Sequence, residues 1–210
     1  MARTQPSIGS EAVTTGSTKS PTPEYPGPHD LLVGKTVVVT AAAGAGIGAA
    51  AARRCLEEGA SAVVLGDTHQ RRLGEAQEQL GAEFGARRVG SVVCDVTEEA
   101  QVGQLLDTAD RFGGADVLIN NAGLGGTVSV LEMTDEQWNK VLDITLTGTF
   151  RCVRAAGNRM VEAGKQGVVI NNASVVGWRA QQGQAHYAAA KAGVMALTRC
   201  AAIDLAEHGI

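Results

Sequence analysis

From Leu31 to the last residue, short apolar runs alternate with amphipathic stretches, and this alternation limits the fold more than any other feature of the chain. Lys35–Ala41 (KTVVVTA), Ala62–Gly66 (AVVLG), Val89–Cys94, Asp116–Asn120 (DVLIN) and Val168–Asn171 are brief, rich in β-branched residues and bounded by turn residues, which predicts five strands. Helices are predicted between them over Ile47–Gly59, over His69–Phe84 and from Thr97, where Glu98 and Glu99 suit the first turn. A long helix is expected from the capping box Thr134-x-x-Gln137 to about Glu162, and a last one from His186 to about Glu207. Strands that are apolar on both faces need cover on both faces. The expectation is therefore α/β, a doubly wound parallel sheet with helices on each side, in a single domain.

Residues 1–30 break the pattern. All five prolines of the chain lie there among Ser, Thr and Gly, with no hydrophobic period. Such a segment buries too little apolar surface to offset its ordering entropy, so a flexible tail over 1–30 and one domain over 31–210 are expected. The tail has neither the apolar core of a secretory signal nor the repeated arginines of a transit peptide. A net charge of −4 without a Lys/Arg run argues against nucleic acid or an anionic membrane as partner. No apolar run approaches the roughly 20 residues that span a bilayer. Cys55, Cys94, Cys152 and Cys200 are widely scattered, with no C-x-x-C pair. They read as ordinary thiols in a reducing compartment, with cytoplasm the default and no metal site.

Between the first strand and first helix runs Thr40-Ala-Ala-Ala-Gly44-Ala-Gly46-Ile47-Gly48. Glycines here let backbone N–H groups face a ligand, and the helix N-terminus adds a positive dipole end; a pyrophosphate fits both. Asp67 stands at the end of the second strand, where a carboxylate accepts from ribose hydroxyls and repels a 2′-phosphate. Its alternative role is capping the next helix. NAD is favoured on this reading, while Arg71 and Arg72 keep NADP open.

Tyr187, the one tyrosine of 31–210, precedes Lys191 by four residues, so the ammonium lies on the phenol's helical face. A free phenol has a pKa of about 10, and a nearby cation favours phenolate, which suits general acid/base work; a plain surface pair is the alternative. Ser174 follows the fifth strand at the sheet edge where ligands of open α/β sheets bind. Its hydroxyl either donates to a substrate oxygen or caps a turn. Asn120-Asn121-Ala122-Gly123 occupies the same edge after the fourth strand, as bracing or as cofactor groove. His186 reads mainly as a pocket wall, and Trp178 and Arg179 either meet a bulky anionic substrate or simply pack and solvate.

Taken in order, the loop over 40–48, Asp67, Asp95 with Val96, Asn120–Gly123, Ser174 and Tyr187-x-x-x-Lys191 resemble the short-chain dehydrogenase/reductase family, a Rossmann-type fold, over essentially all of 31–210. The resemblance implies hydride transfer between a nicotinamide cofactor and a secondary alcohol or ketone. Tyr187 would be the acid/base, Lys191 would bind nicotinamide ribose, Ser174 would orient the carbonyl and Asp95 would contact adenine. It also implies a homo-oligomer, dimer or tetramer. The cofactor-binding set is then Gly44, Gly46, Ile47, Gly48, Asp67, Asp95, Val96, Asn121, Ala122, Gly123, Tyr187 and Lys191. Three departures stand out. Ala42 occupies the place of the loop's first glycine, unless the loop is one residue longer. Thr145 replaces the asparagine that would hold a water in the proton relay. The last strands of the family are not represented before Ile210, which would leave the fifth strand as a sheet edge. The loop and the Gly-Trp178-Arg179-Ala-Gln stretch resemble actinobacterial 3-oxoacyl reductases, some of them steroid-ring acyl-CoA enzymes. The alternative is a catalytically silent dinucleotide-binding or scaffold module.

Overall fold

The computed structural model describes residues 23–210; residues 1–22, most of the expected tail, lie outside the described residues. Five strands, β1 (Thr36–Thr40), β2 (Ala62–Asp67), β3 (Val89–Val93), β4 (Val117–Asn120) and β5 (Val168–Asn171), form one parallel sheet in the order β3-β2-β1-β4-β5. The order reverses between β1 and β4, which opens a crevice at their carboxyl ends. Register is held by Val37, Val38 and Val39 of β1 lying opposite Val63, Val64 and Leu65 of β2 and opposite Val117, Leu118 and Ile119 of β4.

Both faces of the sheet are covered across β1 to β4, as the unbroken apolar strands required. Val37, Val39, Val63 and Leu65 pack against Leu56 of α1 (Ile47–Glu57) and against Leu73 and Leu80 of α2 (Gln70–Phe84). Val38, Val64 and Leu118 face Leu105 of α3 (Glu99–Asp110) and Ala156 and Met160 of α5 (Gly148–Glu162). The last helix, α6 (Ala185–Leu205), lies beside α5 and behind β5. β5 is an edge of the described sheet. Val168 and Ile170 pair with Val117 and Ile119, so they share the α1/α2 face, and there they stand exposed.

The structure departs from expectation at two elements. The helix expected from Thr97 begins at Glu99, because Thr97 turns back and donates from both N and Oγ1 to Asp95 Oδ1. The long helix from Thr134 to Glu162 does open with the capping box, but it divides into α4 (Asp135–Leu142) and α5. A π-helical turn, Asp143–Thr147, joins them. Among tail residues that are described, Tyr25 donates to Glu57 Oε2, while Arg54 donates to the carbonyls of Pro26 and Gly27. The backbone N–H groups of His29 and Leu31 donate to Glu58 Oε2.

Candidate active site

The turn after β1 holds its shape through neighbours rather than through glycine alone. Ala41 takes a left-handed φ of 51° and Gly44 one of 84°. Ala42, by contrast, is buried in the core without positive φ, so the strained position follows Thr40 directly and the loop is the longer of the two expected forms. Thr40 Oγ1 accepts from the N–H groups of Asn121 and Ala122 at 2.9 and 3.0 Å, and Asn121 Nδ2 donates to the Ala41 carbonyl at 3.1 Å. A Cβ on Gly48 would run into that carbonyl and stand 2.7 Å from Asn121 Nδ2. Gly46 caps α1 without a side-chain bond, and no acidic residue occupies the first turn. Ile47, at the head of α1, is exposed. The first amides of α1 are therefore free for an anionic ligand, and the dipole favours one. A pyrophosphate group fits this cradle.

Asp67 does not cap α2; His69 does, its Nδ1 accepting from Arg72 N. Instead Asp67 Oδ2 accepts from Ala43 N at 3.0 Å and Oδ1 from His69 N at 2.9 Å. The carboxylate braces the phosphate turn and keeps one lone pair per oxygen for ribose hydroxyls. Arg71 is held by Glu75 at 2.6 Å. Arg72 has no ion-pair partner among the described residues, and its guanidinium lies beside Gly44. A cavity of about 340 Å³ at the crevice is lined by Asp67, Asp95, Val96, Ala122 and Gly123. Val96 packs directly on Gly148, where any side chain would collide with it.

Lys191 and Tyr187 come together as the spacing predicted. Lys191 Nζ, buried, donates to the Asn172 carbonyl at 2.5 Å and lies 5.7 Å from the centre of the Tyr187 ring. Burial pulls its pKa below the usual lysine range. Gly123 completes the corner, since a Cβ there would sit 3.5 Å from Nζ. The backbone at Gly125 runs across the Tyr187 ring, and Gly126 beside His186 Nε2. His186 is buried, and its Nδ1 accepts from Tyr187 N at 2.9 Å. Ser174 heads a one-turn helix, Val175–Gly177, that packs on the Lys191 backbone. Its Oγ accepts from Val176 N at 3.4 Å, a bond that uses a lone pair and leaves the hydroxyl proton to donate elsewhere.

Thr145 is buried in the π turn, and its hydroxyl both accepts from Leu124 N at 2.9 Å and donates to Leu124 O at 3.1 Å. The hydroxyl proton and one lone pair are spent on the strap after β4, which leaves a single lone pair to meet a water. Sequence reasoning passed over Thr40 and Asn172, the braces of the site. The signals were an Asn pair closing β5 and a Thr closing β1, both polar groups ending apolar strands. Among the described residues, no group of three His, Cys, Asp or Glu side chains could hold a metal ion, and no helix is long and apolar enough to cross a membrane.

Comparison with known proteins places this geometry. The chain is 61% identical over 183 residues to the (5R,7aS)-5-hydroxy-7a-methyl-1-oxo-2,3,5,6,7,7a-hexahydro-1H-indene-carboxyl-CoA reductase of Mycobacterium tuberculosis, covering 87% of this chain and 69% of that protein. It is 39% identical over 139 residues to an uncharacterized NAD-dependent oxidoreductase of Mycobacterium tuberculosis, covering 66% of this chain and 50% of that one. The crystal structure of a short chain dehydrogenase from Mycobacterium smegmatis superposes with a TM-score of 0.85 at 56% identity, covering 89% of this chain and 78% of that one. Residues 35–210 match the short chain dehydrogenase family, and the chain belongs to that family of nicotinamide-dinucleotide-dependent oxidoreductases.

Proposed function

We propose that the protein interconverts a secondary alcohol and a ketone on a cyclic acyl-CoA ester, with NAD(H) as the hydride carrier. The observation that carries this reading is the buried Lys191 ammonium, fixed by the Asn172 carbonyl against the Tyr187 ring. The acyl-CoA class is supported by the 61% identity to a reductase that is named for a bicyclic acyl-CoA.

The dinucleotide supplies hydride transfer when bound; the protein supplies the rest. The free amides at the head of α1, with Gly44, Gly46, Ile47 and Gly48, would hold the pyrophosphate, and Asp67 the adenosine ribose. Asp95 and Val96 would flank adenine, with Ala122 and Gly123 lining the same cavity and Asn121 beside them at the end of β4. Tyr187 donates a proton to the oxygen of the reduced carbonyl, or removes one in the reverse direction, while Ser174 donates a hydrogen bond to the same oxygen. Lys191 would place its amine beside the phenol and would bind the nicotinamide ribose. NAD is preferred to NADP because a 2′-phosphate would meet the Asp67 carboxylate, although the unpaired Arg72 guanidinium offsets part of that repulsion. Self-association would use α5 and α6, where Phe150, stacked on Arg154, and Ile203 are exposed.

The test is NADH oxidation with a bicyclic 3-oxoacyl-CoA and with the matching free acid. Turnover of the CoA ester, abolished in Tyr187→Phe with NADH binding intact, supports the reading. Binding of NADH without turnover of any carbonyl would favour the silent dinucleotide-binding module. Tighter binding of NADPH than NADH would overturn the role of Asp67.

A further inference from the structure

β5 closes on two asparagines, and the strand's alternation sends them to different places. Asn171 accepts from Asn120 Nδ2 at 2.8 Å and donates to Thr198 Oγ1 at 2.9 Å, tying β4, β5 and α6 together. Asn172 faces the crevice. Its main-chain carbonyl accepts from Lys191 Nζ at 2.5 Å, and its side-chain Nδ2 donates to Asn121 Oδ1 at 2.9 Å. Asn121 in turn donates from Nδ2 to the carbonyl of Ala41, the left-handed residue at the start of the phosphate turn. One unbroken run of hydrogen bonds thus joins Lys191, Asn172, Asn121 and Ala41. The reaction proposed above uses none of the Asn172 side chain.

We propose that Asn172 is a positioning residue that mechanically couples the phosphate turn to Lys191, so that cofactor seating and placement of the ammonium beside Tyr187 depend on each other. The inference rests on the reading of Lys191 given above. The geometry gives the coupling its direction. The Asn172 carbonyl can hold Lys191 only where the Asn172 side chain, locked on Asn121, lets the backbone sit. Asn121 has little freedom to follow, because its N donates to Thr40 Oγ1 and its Nδ2 to the Ala41 carbonyl. A side-chain amide pair in a partly buried crevice is worth about 0.5–1.5 kcal/mol, roughly a two- to tenfold change in an equilibrium constant.

Two measurements test this. The first is NADH dissociation constants, which need no turnover, for wild type, Asn121→Ala, Asn172→Leu and the double variant. Each single variant is expected to weaken NADH binding about three- to tenfold, and the double variant no more than the weaker single, because the run is already broken. Independent, multiplying losses would overturn the coupling, as would an Asn172→Leu affinity equal to wild type. The second is the pH profile of kcat/KM for Asn172→Leu. In the alcohol-oxidising direction, where Tyr187 must take up a proton, the acidic limb is expected to move to higher pH, since an ammonium held less firmly beside Tyr187 favours the deprotonated phenol less. A loss of kcat by the same factor at every pH would reduce Asn172 to a packing role. If Asn172→Leu does not fold, Asn172→Ser, too short to reach Asn121, carries the same expectations. Activity retained in Tyr187→Phe would sink the catalytic reading, whereas additive NADH affinities would sink only the coupling.

Discussion

Single atoms decide much of this site. Gly48 is needed because the Asn121–Ala41 hydrogen bond passes where its Cβ would stand, not because its own backbone is unusual. Gly48→Ala is expected to cost about 1–3 kcal/mol in thermal or urea unfolding and to abolish NADH binding, since the turn cannot give way without breaking the bond. The thiols show the opposite dependence, being governed mainly by burial. Cys55 and Cys94 are pushed up to about 11 and Cys152 to about 12, chiefly by desolvation, with nearby acidic groups adding to it. A thiol reagent at neutral pH is expected to label the native protein once, at the exposed Cys200. Fast labelling of a second thiol would contradict the burial of Cys55, Cys94 and Cys152.

At the scale of elements, the π turn between α4 and α5 is the feature with most effect on the site. It brings Thr145 to the strap that runs from Gly123 across Tyr187, and the two bonds to Leu124 fix the height of that strap. Thr145→Val removes both bonds at constant volume and leaves the Leu124 amide unpaired. A stability loss of about 1–3 kcal/mol and a fall in kcat are expected, largely restored in Thr145→Ser. An unchanged kcat in Thr145→Val would show that the strap needs no clamp. β5 offers a second case, since its exposed Val168 and Ile170 lie on an open edge of the described sheet. Ile170→Lys should slow aggregation on heating, as followed by light scattering, because a charge on an edge opposes strand addition. The π turn was not legible in the sequence, where one extra residue per turn leaves the apolar spacing of 134–162 almost unchanged. The capping box was legible, because its Thr and Gln carry the bonding groups themselves.

Across the whole molecule, Glu58 joins the segment before β1 to the C-terminus of α1. Amides of His29 and Leu31 and the Arg54 guanidinium surround its carboxylate and lower its pKa from 4.5 to about 2. A depressed carboxylate stabilises the fold fully above its unfolded pKa and loses that contribution as pH falls through the folded one. The stability gap between wild type and Glu58→Gln is therefore expected to be constant near neutrality and to close between about pH 4.5 and 2, as read from unfolding midpoints. A gap independent of pH would remove the charge from the argument. Sequence alone determined the layered parallel sheet and the pairing of Tyr187 with Lys191, because apolar period and i,i+4 spacing are local properties that packing only had to respect. It also pointed to the glycine turn as a seat for an anion, since a strand, a Gly-rich turn and a helix start are consecutive in the chain. Tertiary structure alone decided that Asp67 braces the turn, that Thr145 spends its hydroxyl on Leu124 and that Asn172 stands between Lys191 and Asn121. Their partners are backbone amides, carbonyls and side chains tens of residues away, brought into hydrogen-bond reach only when β2, β1, β4 and β5 lie side by side and the π turn packs against the strap after β4.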